Sequence, residues 1–360
     1  MKKLPSVKDL TVKKKTVLLR TDYDVPLKRQ KAKAKSQTLE VAETTRIEES
    51  LPTINYLLEQ QAKVIIISHL GRPEGKKISD LSLKPVADFL NSKLSRKVRS
   101  CFAGQFKIKN FSGFKIANNL FLLENIRFWP GEEKNDLNFA QKLAFLGDFY
   151  VNDAFACAHR QHASVVGLPK FLPSAFGFDF LKEIEILSKI RNNSSRPVVA
   201  IFGGAKEDKL EVLAEFLKWV DFVLIGGKLP ALINDLKFKI ANLKKVFVAD
   251  LNLEGKDITL ESAEKFKKII AKAKTIIWAG PMGVFENSLY ELGTKMIAQA
   301  IVNSKAYTVI GGGDTEAALT KFALDKKVDY ISSGGGAMLE FLAKGTLPGI
   351  EAITKKNFKF

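Results

Sequence analysis

RIEESLPTINYLLEQQAKVIIISHLGRP, residues 46–73, holds the decisive alternation. Its first half repeats apolar residues at helical spacing, and its second half is a short β-branched run that ends in a polar, glycine-containing turn. A strand, TVLLR at 16–20, precedes it, and a second helical pattern follows near 83–94, so the unit reads as β-α-β-α. The rhythm continues through NLFLLEN (119–125) and DFYVND (148–153). It resumes at PVVAIFGG (197–204), DFVLIGG (221–227), TIIWAG (275–280), YTVIGGG (307–313) and DYISSGGG (329–336). Between the two series lie a helical stretch at 178–190 and a polar loop, RNNSSRP, at 191–197. The expected fold is α/β, with two doubly wound, Rossmann-like parallel-sheet domains joined by a helical hinge. The expected bounds are 1–177, a hinge at 178–196, 197–344, and a segment 345–360 packing back on the N-terminal domain.

Composition agrees with two globular domains: 360 residues, 46% hydrophobic and 27% charged. No apolar run approaches the roughly 20 residues that cross a bilayer. The N-terminus is basic but lacks the apolar core of a signal peptide, and two cysteines make no disulfide framework, so a cytoplasmic setting is expected. The net charge of +18 raises nucleic-acid binding as an alternative. Against it, lysines are spread along the chain without a stacking aromatic pattern. The cluster Lys28, Arg29, Lys31, Lys33, Lys35 reads as a solvated loop that can also draw in anionic metabolites.

Ligands of open parallel sheets bind beyond the carboxyl ends of the strands. In the first half those positions carry Asp22 and Asp24, His69 and Arg72, Arg127, and Asp153, His159, Arg160 and His162. Arg46, Arg72, Arg127 and Arg160 offer planar forks for carboxylate or phosphate. In the second half the same positions carry glycines: 203–204, 226–227, 280, 311–313 and 334–336. Glycine lets backbone N–H groups approach phosphates, and a helix N-terminus adds a favourable dipole. Asp314, opening the helix after Gly311–Gly313, is either an N-cap or a carboxylate for Mg²⁺ beside a polyphosphate. No G-x-x-x-x-G-K-[ST] and no strand-linked G-x-G-x-x-G occurs, which removes a Walker loop and the main support for a dinucleotide dehydrogenase.

The ordered series RTDYDVPL, SHLGRP, LLENIR, NDAFACAHR, IFGGAK, GPMGVFE, GGGDT and SSGGGAMLE closely resembles the motifs of the phosphoglycerate kinase family over nearly the whole chain. The resemblance implies a glycolytic kinase, a monomer, with 3-phosphoglycerate and Mg·ATP as its small-molecule partners. It implies substrate binding by Asp22, Tyr23, Asp24, Arg46, His69, Leu70, Gly71, Arg72, Arg127 and Arg160. Lys206, Gly312, Gly313, Asp314 and Thr315 would meet the nucleotide phosphates, Glu286 the ribose, and Asp314 the metal. Arg46, Lys206 and the backbone of Gly334 and Gly335 would stabilise the transferring group, with hinge closure excluding water.

Four departures fall on the nucleotide side. GGAKEDK is one residue short, so Lys209 follows Lys206 by three positions; Lys228 replaces a glycine; Ala279 stands for an asparagine; and DITLES (257–262) lacks a glycine. Asp24 likewise replaces an asparagine on the substrate side, adding negative charge beside an anion. Cys157 reads as packing. A catalytically weak, anion-binding or nucleic-acid-binding relative is the alternative to an active kinase.

Overall fold

The computed structural model describes residues 3–29, 39–94, 104–205, 208–233 and 243–355. Two compact units divide the chain: Met1–Ile184 with Pro348–Phe360, and Glu185–Leu347.

In the first unit the elements run β1 (Thr16–Thr21), β2 (Leu27–Arg29), β3 (Leu39–Val41), α1 (Thr45–Glu49), α2 (Leu51–Glu59), β4 (Lys63–Ile67), α3 (Lys84–Leu94), β5 (Gly104–Ile108), β6 (Phe111–Ala117) and β7 (Leu120–Leu123). There follow α4 (Pro130–Glu133), α5 (Leu137–Ala144), β8 (Phe149–Asp153) and β9 (Ser174–Phe176), and then α6 (Phe178–Asn193), which begins in the first unit and crosses into the second after Ile184. The sheet order is β5-β6-β7-β4-β1-β8-β9. β7, β4, β1, β8 and β9 pair in parallel, whereas β5, β6 and β7 pair antiparallel. Central strands of a parallel sheet are covered on both faces, which is why β1 and β4 read as continuous apolar runs and are buried after their first residue. Register sets Thr21 beside Asp153 and Arg20 beside Ile67, bringing the ends of β1, β4 and β8 together.

The helical stretch at 46–60 is two helices. Pro52 sits in the first turn of α2, where its missing N–H costs nothing, and Ser50 between them donates to the Ile47 carbonyl at 2.7 Å. The helix expected at 178–190 continues to Asn193, so the polar loop is shorter than its composition suggests.

The second unit holds β10 (Val198–Phe202), α7 (Asp208–Glu211), α8 (Leu213–Leu217), β11 (Phe222–Ile225), α9 (Leu229–Ile233), β12 (Val246–Val248), α10 (Leu260–Ile270) and β13 (Thr275–Ala279). It ends with α11 (Leu292–Asn303), β14 (Tyr307–Gly311), α12 (Gly313–Lys321), β15 (Tyr330–Ser332) and α13 (Gly335–Lys344). Its sheet is wholly parallel in the order β12-β11-β10-β13-β14-β15. The last helix, α14 (Pro348–Thr354), belongs to the first unit: the Gly349 N–H donates to the Ala158 carbonyl at 2.8 Å. Among the described residues no helix is long and apolar enough to cross a membrane.

Candidate functional site

The first unit gathers its charged residues where β1, β4 and β8 end. Asp22 accepts from Arg46 Nη1 at 3.0 Å through one carboxylate oxygen, and its other oxygen lies 3.6 Å from His69 Nδ1. The same Nη1 donates to the Asp24 carbonyl at 3.0 Å. Asp24 accepts from the Gly71 N–H at 2.8 Å, tying the loop after β1 to the loop after β4. Asparagine would offer the same acceptor, so the carboxylate at Asp24 is compatible with this backbone contact. Gly71 has φ +61°, a left-handed conformation that favours glycine, and a Cβ there would also press on a Leu81 methyl at 2.7 Å.

Arg127 is buried. Its Nη1 donates to the Gly71 carbonyl at 2.6 Å, Nε faces Glu133 at 3.4 Å without hydrogen-bond geometry, and Nη2 has no acceptor among the described residues. Asn125 braces this corner, donating to the Leu70 and Leu81 carbonyls at 2.6 and 2.9 Å. Arg160 is half-buried close enough to Arg127 to lower its pKa, behind the effect of burial itself. Burial, then Arg20, Arg127, Arg160 and His162, holds the His69 imidazole well below its ordinary pKa. Burial and the same arginines push His162 down to about 3. Both rings are neutral donors or acceptors at physiological pH; the positive charge comes from guanidinium groups.

Not every expected residue faces this cluster. Tyr23 turns its ring into the core, its hydroxyl paired with Ser50 Oγ at 2.9 Å and its N–H donated to Ser68 Oγ at 2.9 Å; burial raises its pKa to about 12. Leu70 likewise packs in the core, with only its carbonyl engaged, by Asn125. Arg72 is exposed.

Arg20 carries no role in the motif reading, yet it is fully buried beneath the site, donating to Ser164 Oγ at 2.9 Å and contacting His69 Nδ1 at 3.2 Å. Its signal in the sequence is an arginine inside an otherwise apolar central strand, VLLRTD. Asp22, His69 and Cys157 place ligand atoms within 4.8 Å of one another. A cation has no room electrostatically there, because Arg20 Nη2 already contacts His69 Nδ1 and approaches Cys157 Sγ at 3.8 Å. Burial raises the Cys157 thiol to about 11, so it is a protonated packing group.

In the second unit the strand ends converge on glycines that pack against one another. A Cβ on Gly280 would meet the Gly203 carbonyl at 2.2 Å, one on Gly227 the Gly204 nitrogen at 2.4 Å, and one on Gly335 the Gly312 Cα at 2.5 Å. These glycines let loops touch. Gly313 differs: a Cβ there would meet nothing within 4 Å, so its openness is not filled by protein. It begins α12, whose first turn carries the exposed Asp314. Thr315 is buried, its hydroxyl accepting from the Gly280 N–H at 2.7 Å and donating to the Gly311 carbonyl at 3.0 Å; it joins the loops after β13 and β14. Gly334 caps α13, and Glu286 is exposed after the loop from β13. Lys206 lies outside the described residues, as do Lys31, Lys33 and Lys35.

The departures have structural answers. Lys209 directs its ammonium to the Gly203 and Ala279 carbonyls at 2.7 and 3.2 Å. Ala279 is buried, and Lys228 is exposed with its N–H on the Gly204 carbonyl at 2.9 Å. In DITLES, Thr259 caps α10 through Ser262 N–H at 3.3 Å, while Asp257 accepts from the Gly293 N–H in the first turn of α11 at 2.8 Å.

A guanidinium-lined cluster on one parallel-sheet unit and glycine junctions opening a helix beside an exposed carboxylate on the other are the chemistry that proteins handling phosphorylated small molecules use. The phosphoglycerate kinase family model matches residues 7–236 and 231–345. The chain is 40% identical to phosphoglycerate kinase of Finegoldia magna, covering 98% of this chain and 99% of that protein, and 39% identical to that of Herpetosiphon aurantiacus over the same shares. Two solved structures are similar. That of the phosphoglycerate kinase from Coxiella burnetii has TM-score 0.74 and 32% identity, covering 98% of this chain and 99% of that one. That from Pyrococcus horikoshii has TM-score 0.79 and 30% identity, covering 99% and 100%. The chain belongs to the phosphoglycerate kinase family.

Proposed function

We propose that the chain transfers a phosphoryl group reversibly between 1,3-bisphosphoglycerate with ADP and 3-phosphoglycerate with ATP. The observation that carries the reading is buried Arg127, whose Nη2 has no acceptor among the described residues, at the centre of a cluster with Arg160 and two neutral histidines. A buried guanidinium N–H without an acceptor is costly unless an anion completes it. The family match over nearly the whole chain supports phosphoglycerate as that anion.

In this reading Asp22, Asp24, His69, Arg72, Arg127 and Arg160 bind phosphoglycerate, and the Gly71 carbonyl aims Arg127. The acceptor is the substrate's own carboxylate, ionised at neutral pH, so neither a nucleophilic side chain nor a general base is needed. Charge spreads over the equatorial oxygens of the transferring group, and fixed donors stabilise it. Arg46, held on Asp22 and the Asp24 carbonyl, supplies one such donor; Lys206 and the N–H groups at Gly334 and Gly335 supply the others, the Gly334 N–H by leaving Ser332 Oγ, to which it donates at 3.3 Å. Gly312 and Gly313 leave space for the nucleotide phosphates, Thr315 sets the loop that shapes it, and Glu286 meets the ribose. The exposed Asp314 carboxylate fits a hard divalent cation and would hold Mg²⁺, which when bound neutralises phosphate charge. The reading includes hinge bending at the 178–196 segment, which the family resemblance implies, to exclude water from the transfer. It carries with it a cytoplasmic monomer.

The test is formation of 1,3-bisphosphoglycerate from 3-phosphoglycerate and Mg·ATP, with Arg46→Ala alongside. Loss of one preorganised donor is expected to lower kcat by roughly a hundredfold or more. Folded wild-type protein without turnover would transfer the reading to a binding protein for anions or nucleic acid.

A further inference from the structure

We infer that Glu132 is a positioning residue, which through Ser164 and Arg20 fixes His69 as the tautomer with its proton on Nε2. The inference rests on the functional reading above only for the role of His69.

Glu132 is fully buried in α4, and both of its carboxylate oxygens are spent on one residue: it accepts from the Ser164 N–H at 2.8 Å and from Ser164 Oγ at 2.5 Å. Having donated to Glu132, Ser164 Oγ turns a lone pair to Arg20, accepting from Nε at 2.9 Å. The Tyr150 hydroxyl holds the Ser164 carbonyl at 2.7 Å, so the serine has no freedom to turn away. Arg20 also donates through Nη1 to the Thr21 carbonyl, which leaves Nη2 aimed at His69 Nδ1, 3.2 Å away.

A guanidinium has donors only. Facing Arg20, His69 Nδ1 must therefore accept, and a neutral imidazole then carries its proton on Nε2. Asp22 Oδ1, at 3.6 Å from Nδ1, is the group that would favour the opposite tautomer, but it is beyond hydrogen-bond distance while Arg20 is within it. Nε2 lies 3.9 Å from the Asp24 carboxylate and 4.0 Å from Cys157 Sγ. His69 thus presents a neutral N–H donor to a substrate oxygen. Glu132 and Asp22 both oppose the Arg20 charge, and although burial raises the Glu132 carboxyl, Arg20 and the Ser164 hydrogen bonds pull it back; His162 Nδ1 is 3.9 Å from it.

The test is ¹⁵N NMR of histidine-labelled full-length protein; the chain has three histidines, so assignment needs only single substitutions. Wild type is expected to show an unprotonated Nδ1 and a protonated Nε2 at His69. In Glu132→Gln the two signals should move toward a tautomer mixture, with KM for 3-phosphoglycerate rising about tenfold and KM for ATP unchanged. Ser164→Ala keeps both charges and cuts the relay; it should move the signals the same way and decides the matter if Glu132→Gln fails to fold. A wild-type Nδ1–H, or variants that lose stability while His69 keeps its wild-type signature, would overturn the inference. The expected spectra in a protein without turnover would support the relay and count against the functional reading alone.

Discussion

The Lys209 ammonium lies 2.7 Å from the Gly203 carbonyl and bridges to Ala279 on the neighbouring strand end. The lysine ties the loop after β10 to the end of β13. Lys209→Met is expected to lower Tm by several degrees and raise KM for ATP moderately, whereas Lys206→Met should lower kcat with Tm unchanged. Calorimetry beside steady-state kinetics separates the two, and equal Tm losses would refute the division of labour.

Gly313 and Gly335 should respond oppositely to alanine. A Cβ at Gly335 would strike the Gly312 backbone at 2.5 Å, so Gly335→Ala should depress Tm. Gly313 opens on free space, so Gly313→Ala should leave Tm unchanged or slightly raised, since alanine favours a helix, while weakening ATP binding. Nucleotide titration by calorimetry checks this; unweakened binding would mean the space is not a phosphate cradle.

Histidine protonation makes the first unit acid-sensitive. His162 is held down to about 3 and His69 well below its ordinary value, both by burial first and arginines second. Below about pH 6.5 the unfolded chain takes up protons that the folded chain refuses, so stability falls as pH drops through that value. Urea unfolding at pH 7.5 and 5.5 should give a lower midpoint at 5.5, and the two C2–H resonances should not titrate across that range.

Asp179, at the start of α6, behaves in the opposite sense. Burial, then Glu49, Asp153 and Glu183, raises its carboxyl to about 9, with Lys182 opposing. The folded state therefore holds a proton that the unfolded state releases above about pH 4, and stability declines as pH rises through that window. Asp179→Asn should be more stable than wild type at pH 8 and indistinguishable from it near pH 3.5; an equal difference at both values would exclude the mechanism.

The parallel strands were legible because burial on both faces writes continuous apolar runs such as VLL and VIII, and strand ends in such sheets mark the binding edge. Asp22, Arg46, His69 and Arg127 do come together there. The antiparallel edge β5–β6 was missed, since KIKNFSGFKIA alternates weakly and is rich in lysine. Tyr23 reads as a motif residue but faces the core, because its neighbours alternate sides in the loop after β1. Glu132 and Ser164 were invisible. A carboxylate in PGEE looks like a solvated helix start, and its partners stand 32 and, through Ser164, a further 144 residues away, a distance no local pattern encodes.

Helix α14 seats Gly349 against Ala158 and Val165, completing a unit begun at the N-terminus. During synthesis this closing piece emerges only after 185–347, an interval of roughly 10–30 s at ordinary elongation rates. Until then the Ala158 carbonyl and the surrounding apolar patch have no native cover. The first unit therefore waits on the last helix to be made, while the second, continuous in the chain, can finish folding first.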